Sequence, residues 1–210
     1  MARPRSSGYD AQAELILATA AQAFAESGFP SASMNDIARR CGVSKGLLYH
    51  YYPSKERLLF DLTDQYTRRL VAIVEAVERR LPDAAARLPA LIRAFLDEYR
   101  TSQAHHMILL HDLRFLPSGQ AAGVRGNQRR VVSAFAAAIR ASYALPADAE
   151  VLRPLTMMLF GMMNWTFTWL QPDAGAPRKG RISYAEYADM VATVFGSGAG
   201  AIKARARHPA

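Results

Sequence analysis

The chain has one cysteine, Cys41, in 210 residues. A disulfide framework within the chain is thereby excluded, and a lone thiol fits a reducing compartment. Cys41 reads as a small hydrophobe on the inward side of a helix, the alternative being a redox switch. Signals for β-strands and internal repeats are missing. No apolar run is long enough to cross a bilayer. Met1–Gly8 is short, basic and without an apolar segment, so no secretory leader is expected and a cytoplasmic location is. There is no G-x-S-x-G elbow, phosphate-binding loop or dinucleotide fingerprint. His105, His106, His111 and Asp112 lie close in sequence, yet no pair has the i, i+4 spacing of a helical chelate. Neither an enzyme, a metal site nor a resident cofactor is therefore expected.

What is present is apolar content of 50% and a formal charge of +8. The first supports a sizeable core; the second suits a polyanionic partner. Charge does not locate that partner, because residues 1–60 carry 7 basic and 5 acidic side chains, a net of only +2. Apolar periodicity predicts an all-α chain of about nine helices. Asp10–Ser27 is amphipathic and ends at Gly28. Ser54–Leu81 is one long helix, followed by Ala84–Gln103, His105–Phe115, Gln120–Tyr143, Ala147–Gln171 and Ser183–Gly196. Ala2–Gly8 reads as a basic arm, Pro172–Arg181 as a loop and Gly198–Ala210 as a frayed tail. Two domains follow, residues 1–53 and 54–210, with the long helix spanning the boundary as a means of passing movement between them.

The stretch from Ser33 to Tyr52 is the most informative. Ser33 is suited to cap a helix by accepting the amide proton of Asp36, whose carboxylate would reach back as in a capping box. Ile37, Ala38 and Cys41 form one apolar stripe, and Gly42 stops the helix because a left-handed residue suits glycine. Ser44 caps again, and Leu48 and Tyr51 return to the core. Two short helices crossing steeply over a tight turn make a helix-turn-helix, whose second helix enters the major groove of DNA. Ser33, Ser44, Lys45, Gly46, Leu47, Tyr49, His50, Tyr51 and Lys55 are the expected DNA contacts. Tyr49 and Lys55 are assigned to phosphates; Lys45, His50 and Tyr51 are divided between phosphates and base edges. Gly46 lets the backbone approach closely. The competing reading is a buried, tyrosine-rich helix pair with no DNA role.

Gly28-Phe29, Ser33–Ala38, Cys41–Gly46, Leu48–Tyr52 and Pro53–Leu59 resemble the N-terminal signature of the TetR (tetracycline-repressor) family. Ser33 stands where threonine is common, and Tyr52 where phenylalanine is. The resemblance covers the first quarter of the chain. It implies a three-helix DNA-binding domain followed by a helical domain for ligand binding and dimerisation.

Leu155–Leu170 is apolar around its whole circumference, so it must be covered on more than one side. Its own core on one side and a second subunit on the other meet that need. Tyr187, Met190, Val191, Val194 and Phe195 of the last helix would complete a four-helix homodimer interface, which the resemblance also implies. A two-fold dimer predicts a palindromic operator. Met-rich and aromatic surfaces adapt to apolar ligands. Phe95, Tyr99, His106, Leu109, Leu110, Phe115, Met157, Phe160, Gly161, Asn164, Trp165 and Thr168 are the expected pocket, against the reading that all are core or interface. Gly161–Trp169 is similar, more loosely, to TetR relatives that respond to acyl-CoA thioesters. Arg100, Arg114, Arg129, Arg130, Arg178, Lys179 and Arg181 are candidates for its phosphates. The expected function is a ligand-released transcriptional repressor. Its rivals are an unregulated DNA-architectural protein and an acyl-thioester enzyme with a DNA-binding appendage.

Overall fold

A computed structural model describes residues 7–146, 150–171 and 181–206, with side chains from residue 8 to residue 202. Among the described residues there are nine α-helices and no strand. They are α1 (Ser7–Ser31), α2 (Met34–Cys41), α3 (Lys45–Tyr51), α4 (Lys55–Arg80), α5 (Arg87–Thr101), α6 (Gln103–His111), α7 (Ser118–Ser142), α8 (Leu152–Asn164) and α9 (Tyr184–Ala206), with short 3-10 turns at Ala84–Ala86, Leu113–Phe115 and Thr166–Thr168. No helix is long and apolar enough to cross a membrane.

The chain forms two compact units. The first takes the chain to Thr67 and adds Ala104–Arg125; the second takes Arg68–Gln103 and the chain from Gly126. These packing units are drawn differently from a cut at residue 53. The start of α4 buries Leu58, Leu59, Leu62 and Tyr66 alongside Ile16, Phe24, Ile37 and Leu48 in the first core. In the second unit α5 and α9 pack along one another, and Leu91, Ile92, Phe95, Phe135, Leu159 and Val191 are its buried centre.

Gly28 interrupts α1 with φ 75° and ψ 153°. That conformation is open to glycine and costly for residues with a Cβ, so the break falls where expected. The long helix α4 starts as predicted, with the Arg57 N–H donating to Ser54 Oγ at 3.1 Å.

Three expectations change. The helix expected over Ala147–Gln171 stops at Asn164 and gives way to the 3-10 turn Thr166–Thr168, where the Thr166 and Thr168 hydroxyls donate to the carbonyls of Met163 (3.1 Å) and Trp165 (2.7 Å). β-Branched and aromatic residues there favour leaving the helix. The last helix passes through Gly196 and continues to Ala206, with Ala199 buried on its inner side. So Gly198–Ala206 is helix rather than frayed tail. The arm expected at Ala2–Gly8 lies outside the described residues except for Ser7 and Gly8, which open α1. The expected Pro172–Arg181 loop lies outside them except for Arg181.

Candidate DNA-reading site

The two short helices are fixed by local chemistry. The Asp36 N–H donates to Ser33 Oγ at 3.1 Å, capping α2. Gly42 closes that helix at φ 68°, ψ 26°, and Val43 N–H reaches back to the Ala38 carbonyl at 3.0 Å. Ser44 then caps α3 by accepting from Leu47 N–H at 3.1 Å. Caps of this kind are worth about 1 kcal/mol each, which matters for helices of two turns that would not persist alone.

One cap detail differs from expectation. Asp36 does not complete a capping box. Its carboxylate pairs with the Arg39 guanidinium and accepts from Arg40 Nε at 2.7 Å. Aspartate is one methylene shorter than the glutamate such a box favours, and charge-assisted bonds to guanidinium groups outweigh one to a neutral amide. The Arg39 bond holds the Asp36 carboxyl below its usual range. Arg40 also meets Glu26 of α1 at 2.6 Å, tying α2 to α1.

Beneath α3, Leu48 is wholly buried. Above it Ser44, Lys45, Gly46, Leu47, Tyr49 and His50 are exposed. Leu47 and Tyr49 are 40% and 41% exposed. The Lys45 ammonium lies 5.9 Å from the centre of the Tyr49 ring. A methyl built on Gly46 meets no atom within 4 Å, so nothing inside the protein requires glycine there.

Tyr51 is not core. It is half-buried and stacks on Tyr9 of α1, ring centres 4.4 Å apart. Tyr52 takes the inward place instead, because the helix ends at Tyr51 and an extended residue at φ −133° swings the next ring inside. Tyr9, an aromatic at the start of a helix, carries no local sequence signal that pairs it with Tyr51. Cys41, expected inside, is half-exposed with a free thiol.

The Lys55 ammonium, expected on a phosphate, donates in this structure to three backbone carbonyls, those of Phe29, Pro30 and Ala32, at 2.7, 3.1 and 2.9 Å.

The expected pocket residues divide between the two units. In the second unit, Phe95 and Tyr99 are buried. The Tyr99 hydroxyl donates to Asn164 Oδ1 at 3.2 Å, and burial raises its pKa far above the ordinary value, so it stays a neutral donor. Phe135 bridges Phe95 and Phe160 with ring centres 4.9 Å away on each side. Met157, Gly161, Trp165 and Thr168, expected to face inward, are exposed. The turn of α8 that buries Leu155 and Leu159 necessarily carries Met157 and Gly161 outward.

His106, Leu109, Leu110 and Phe115 belong to the first unit. His106 is buried beside the Tyr66 hydroxyl, 3.3 Å from its Nδ1. Leu109 is buried and Leu110 exposed, while Phe115 stacks on Phe29 at 5.2 Å.

Among the phosphate candidates, Arg100 pairs with Asp97, Arg130 with Glu75, and Arg181 with Gln171. Arg114 lies over the Phe115 ring, and Arg129 is exposed. Arg178 and Lys179 lie outside the described residues. Among the described residues no three histidine, cysteine or acidic side chains are grouped to hold a metal ion.

The sequence model for bacterial regulatory proteins of the tetR family matches residues 16–62. That for tetracyclin-repressor-like C-terminal domains matches residues 82–199, more than half of the chain. A TetR-family transcriptional regulator from Bordetella parapertussis 12822 is 30% identical, with TM-score 0.80 over 91% of this chain and 95% of that one. The crystal structure of AibR in complex with isovaleryl coenzyme A and operator DNA shares the fold, with TM-score 0.73 and 24% identity over 88% of this chain and 98% of that one. The transcriptional activator FasR of Mycolicibacterium smegmatis is 34% identical over 98 residues, 46% of this chain and 45% of FasR. The chain spans less than half the length of the curated relatives it matches. Both halves of the sequence and nearly the whole fold therefore lead to one place: the chain belongs to the TetR family of transcriptional regulators, DNA-binding proteins, and α2–α3 is its helix-turn-helix.

Proposed function

We propose that this regulator works as a two-fold homodimer on a palindromic operator and that a small apolar effector releases it. The observation that carries the reading is an uncovered apolar stripe. Met157, Met158, Trp165 and Trp169 on and after α8, with Met190 and Val194 on α9, are all large, apolar and about half exposed. Met157 and Met158 follow one another on α8, about 100° apart around its axis, and Met190 and Val194 lie four residues apart on one face of α9. Six such side chains present roughly 600 Å² of apolar surface, most of the roughly 800 Å² each partner gives to a stable interface. Of the five α9 residues expected in that interface, Met190 and Val194 are available to a second subunit. Val191 and Phe195 are buried within their own, and Tyr187 donates to the Met162 carbonyl at 2.6 Å.

The dimer sets two α3 helices one DNA turn apart, roughly 34–36 Å. Lys45, Tyr49 and His50 then meet phosphates and base edges, and Leu47 offers an apolar contact for a thymine methyl. Ser33 and Ser44 accept from backbone amides with their oxygens and keep an O–H to donate to phosphate. The effector site is built from Phe95, Phe160 and the Tyr99–Asn164 pair in the second unit. AibR was crystallised with an acyl-CoA, and an acyl thioester is the effector class we favour here. It shifts the equilibrium only by binding the released state more tightly.

The test begins with duplexes that the protein selects from a random-sequence pool. Enrichment of an inverted repeat bound by two chains is expected; an unrepeated site bound by one chain would refute the dimer reading. Acyl-CoA thioesters of graded length are then titrated against the complex. Release by one of them, with a matching thermal shift, is expected, and silence across the series would remove acyl thioesters as effectors. A reporter gene behind the selected site separates repression from activation.

A further inference from the structure

All three donors of one ammonium group are spent on a single bend of backbone. Beyond the break at Gly28, the Ala32 N–H returns to the Gly28 carbonyl at 3.2 Å. The carbonyls of Phe29, Pro30 and Ala32 converge on the Nζ of Lys55, the first residue of α4. The same ammonium lies 4.5 Å from the centre of the Phe29 ring. Lysine has three N–H donors and no acceptor, so none is left for a phosphate.

Phe29 is also held from its other side. Its N–H donates to the buried Asp112 carboxylate, and its ring packs on Phe24 at 5.3 Å and Phe115 at 5.2 Å. One residue after Ala32 comes Ser33, the cap from which α2 sets off, and α3 follows one tight turn later. The orientation of the bend is thus the orientation at which the reading helices leave α1.

We propose that Lys55 is a positioning residue for DNA recognition. Its ammonium locks the Phe29–Ala32 bend against the start of α4, and it does not touch DNA. This deepens the DNA binding established above without depending on the dimer or the effector.

Two substitutions separate a lock from a phosphate contact. Lys55→Arg keeps the charge, and arginine serves a phosphate at least as well as lysine. Its planar fork, however, does not converge three donors on one point. Lys55→Met keeps the stem and removes the donors. The probe is a duplex selected by the wild-type protein, whose own binding establishes the reading head independently of Lys55. Affinity is measured over a range of salt, with amide hydrogen exchange followed across residues 29–51.

Both variants should bind at least tenfold more weakly with the wild-type salt slope. Exchange should be faster in α2 and α3, while the melting temperature falls little. Wild-type binding by Lys55→Arg would overturn the proposal. So would a salt slope lowered by about 0.9 per reading head in Lys55→Met, which is what a lost phosphate contact produces. Global unfolding of both variants would overturn it too, since the residue would then hold the whole unit rather than one bend.

Discussion

Gly46→Ala should make the protein more stable and a poorer DNA binder. Gly46 lies in the first turn of α3, and a methyl built there meets no atom within 4 Å. It is not among the glycines of positive φ, so alanine fits its backbone without strain. Replacing glycine by alanine at such a position lowers the entropy of the unfolded chain and stabilises by about 0.4–1 kcal/mol. Within the protein, then, glycine is the inferior choice. Its advantage appears only when something approaches the start of the reading helix more closely than a methyl permits. Loss of one close backbone–phosphate approach per half-site should cost about 1–2 kcal/mol each, or roughly a hundredfold in affinity over two half-sites. Thermal unfolding and titration of a selected duplex measure the two effects separately. A variant that gains stability and binds DNA as well as the parent would refute the assignment of Gly46 to the interface.

Val194→Asp should disassemble the proposed dimer without harming the subunit. Val194 is 60% exposed, yet a two-fold interface repeats the buried carboxylate, and two such charges at about 2–3 kcal/mol each raise the dimer dissociation constant about a thousandfold or more; an unchanged sedimentation profile at micromolar concentration would exclude α9 from the contact. Leu48→Ala empties a fully buried site under α3 and should cost about 2–5 kcal/mol. Chemical denaturation would show it, and a variant within about 0.5 kcal/mol of the parent would mean that Leu48 does not anchor the reading helix. Asp112 supplies a pH dependence: burial pushes its carboxyl up, against the pull of His111, the Phe29 N–H and Arg114. A folded-state pKa above the unfolded one means that its contribution is fully present below the unfolded value and lost as pH rises through the folded one. Asp112→Asn keeps an acceptor for Phe29 and should flatten that decline, and an unaltered stability-against-pH curve would contradict the reading.

Features settled within four residues were legible in the sequence. The caps at Ser33 and Ser44 and the left-handed stop at Gly42 each depend on a side chain and a backbone group three or four positions away. Their chemistry is written locally, and the family signature is dense with it. Tyr51 and Tyr52 show where local reading ends. Helical spacing from Leu48 admits either ring as the inward one, and only the end of α3 at Tyr51 decides for Tyr52. The partners of Lys55 lie 23 to 26 residues away. Nothing around that lysine distinguishes a phosphate from a ring of carbonyls. The pocket assignment met the same limit: His106 and Phe115 carry the right residue types, but α6 packs with the N-terminal core. The apolar circumference of α8 showed that several sides need cover without showing which side stays open, and the partition into buried Leu155 and Leu159 and exposed Met157 and Met158 appears only in three dimensions.

The modest charge of the reading head explains why dimer geometry would be an effective control. Residues 1–60 carry a net of only +2, and part of the positive charge is already engaged: Arg39 and Arg40 by Asp36 and Glu26, Lys55 by carbonyls, Arg57 by Asp61. Phosphate neutralisation supplies most non-specific affinity, so a single head holds a half-site weakly. Two heads at a fixed separation convert the second contact into an intramolecular one, at an effective concentration of about millimolar when the spacing matches. That gain vanishes when the spacing does not match. A reading head with few spare cations has little affinity to fall back on, so an effector need not alter α3 itself. In the proposed dimer, changing the distance between two intact copies would be enough to release the operator.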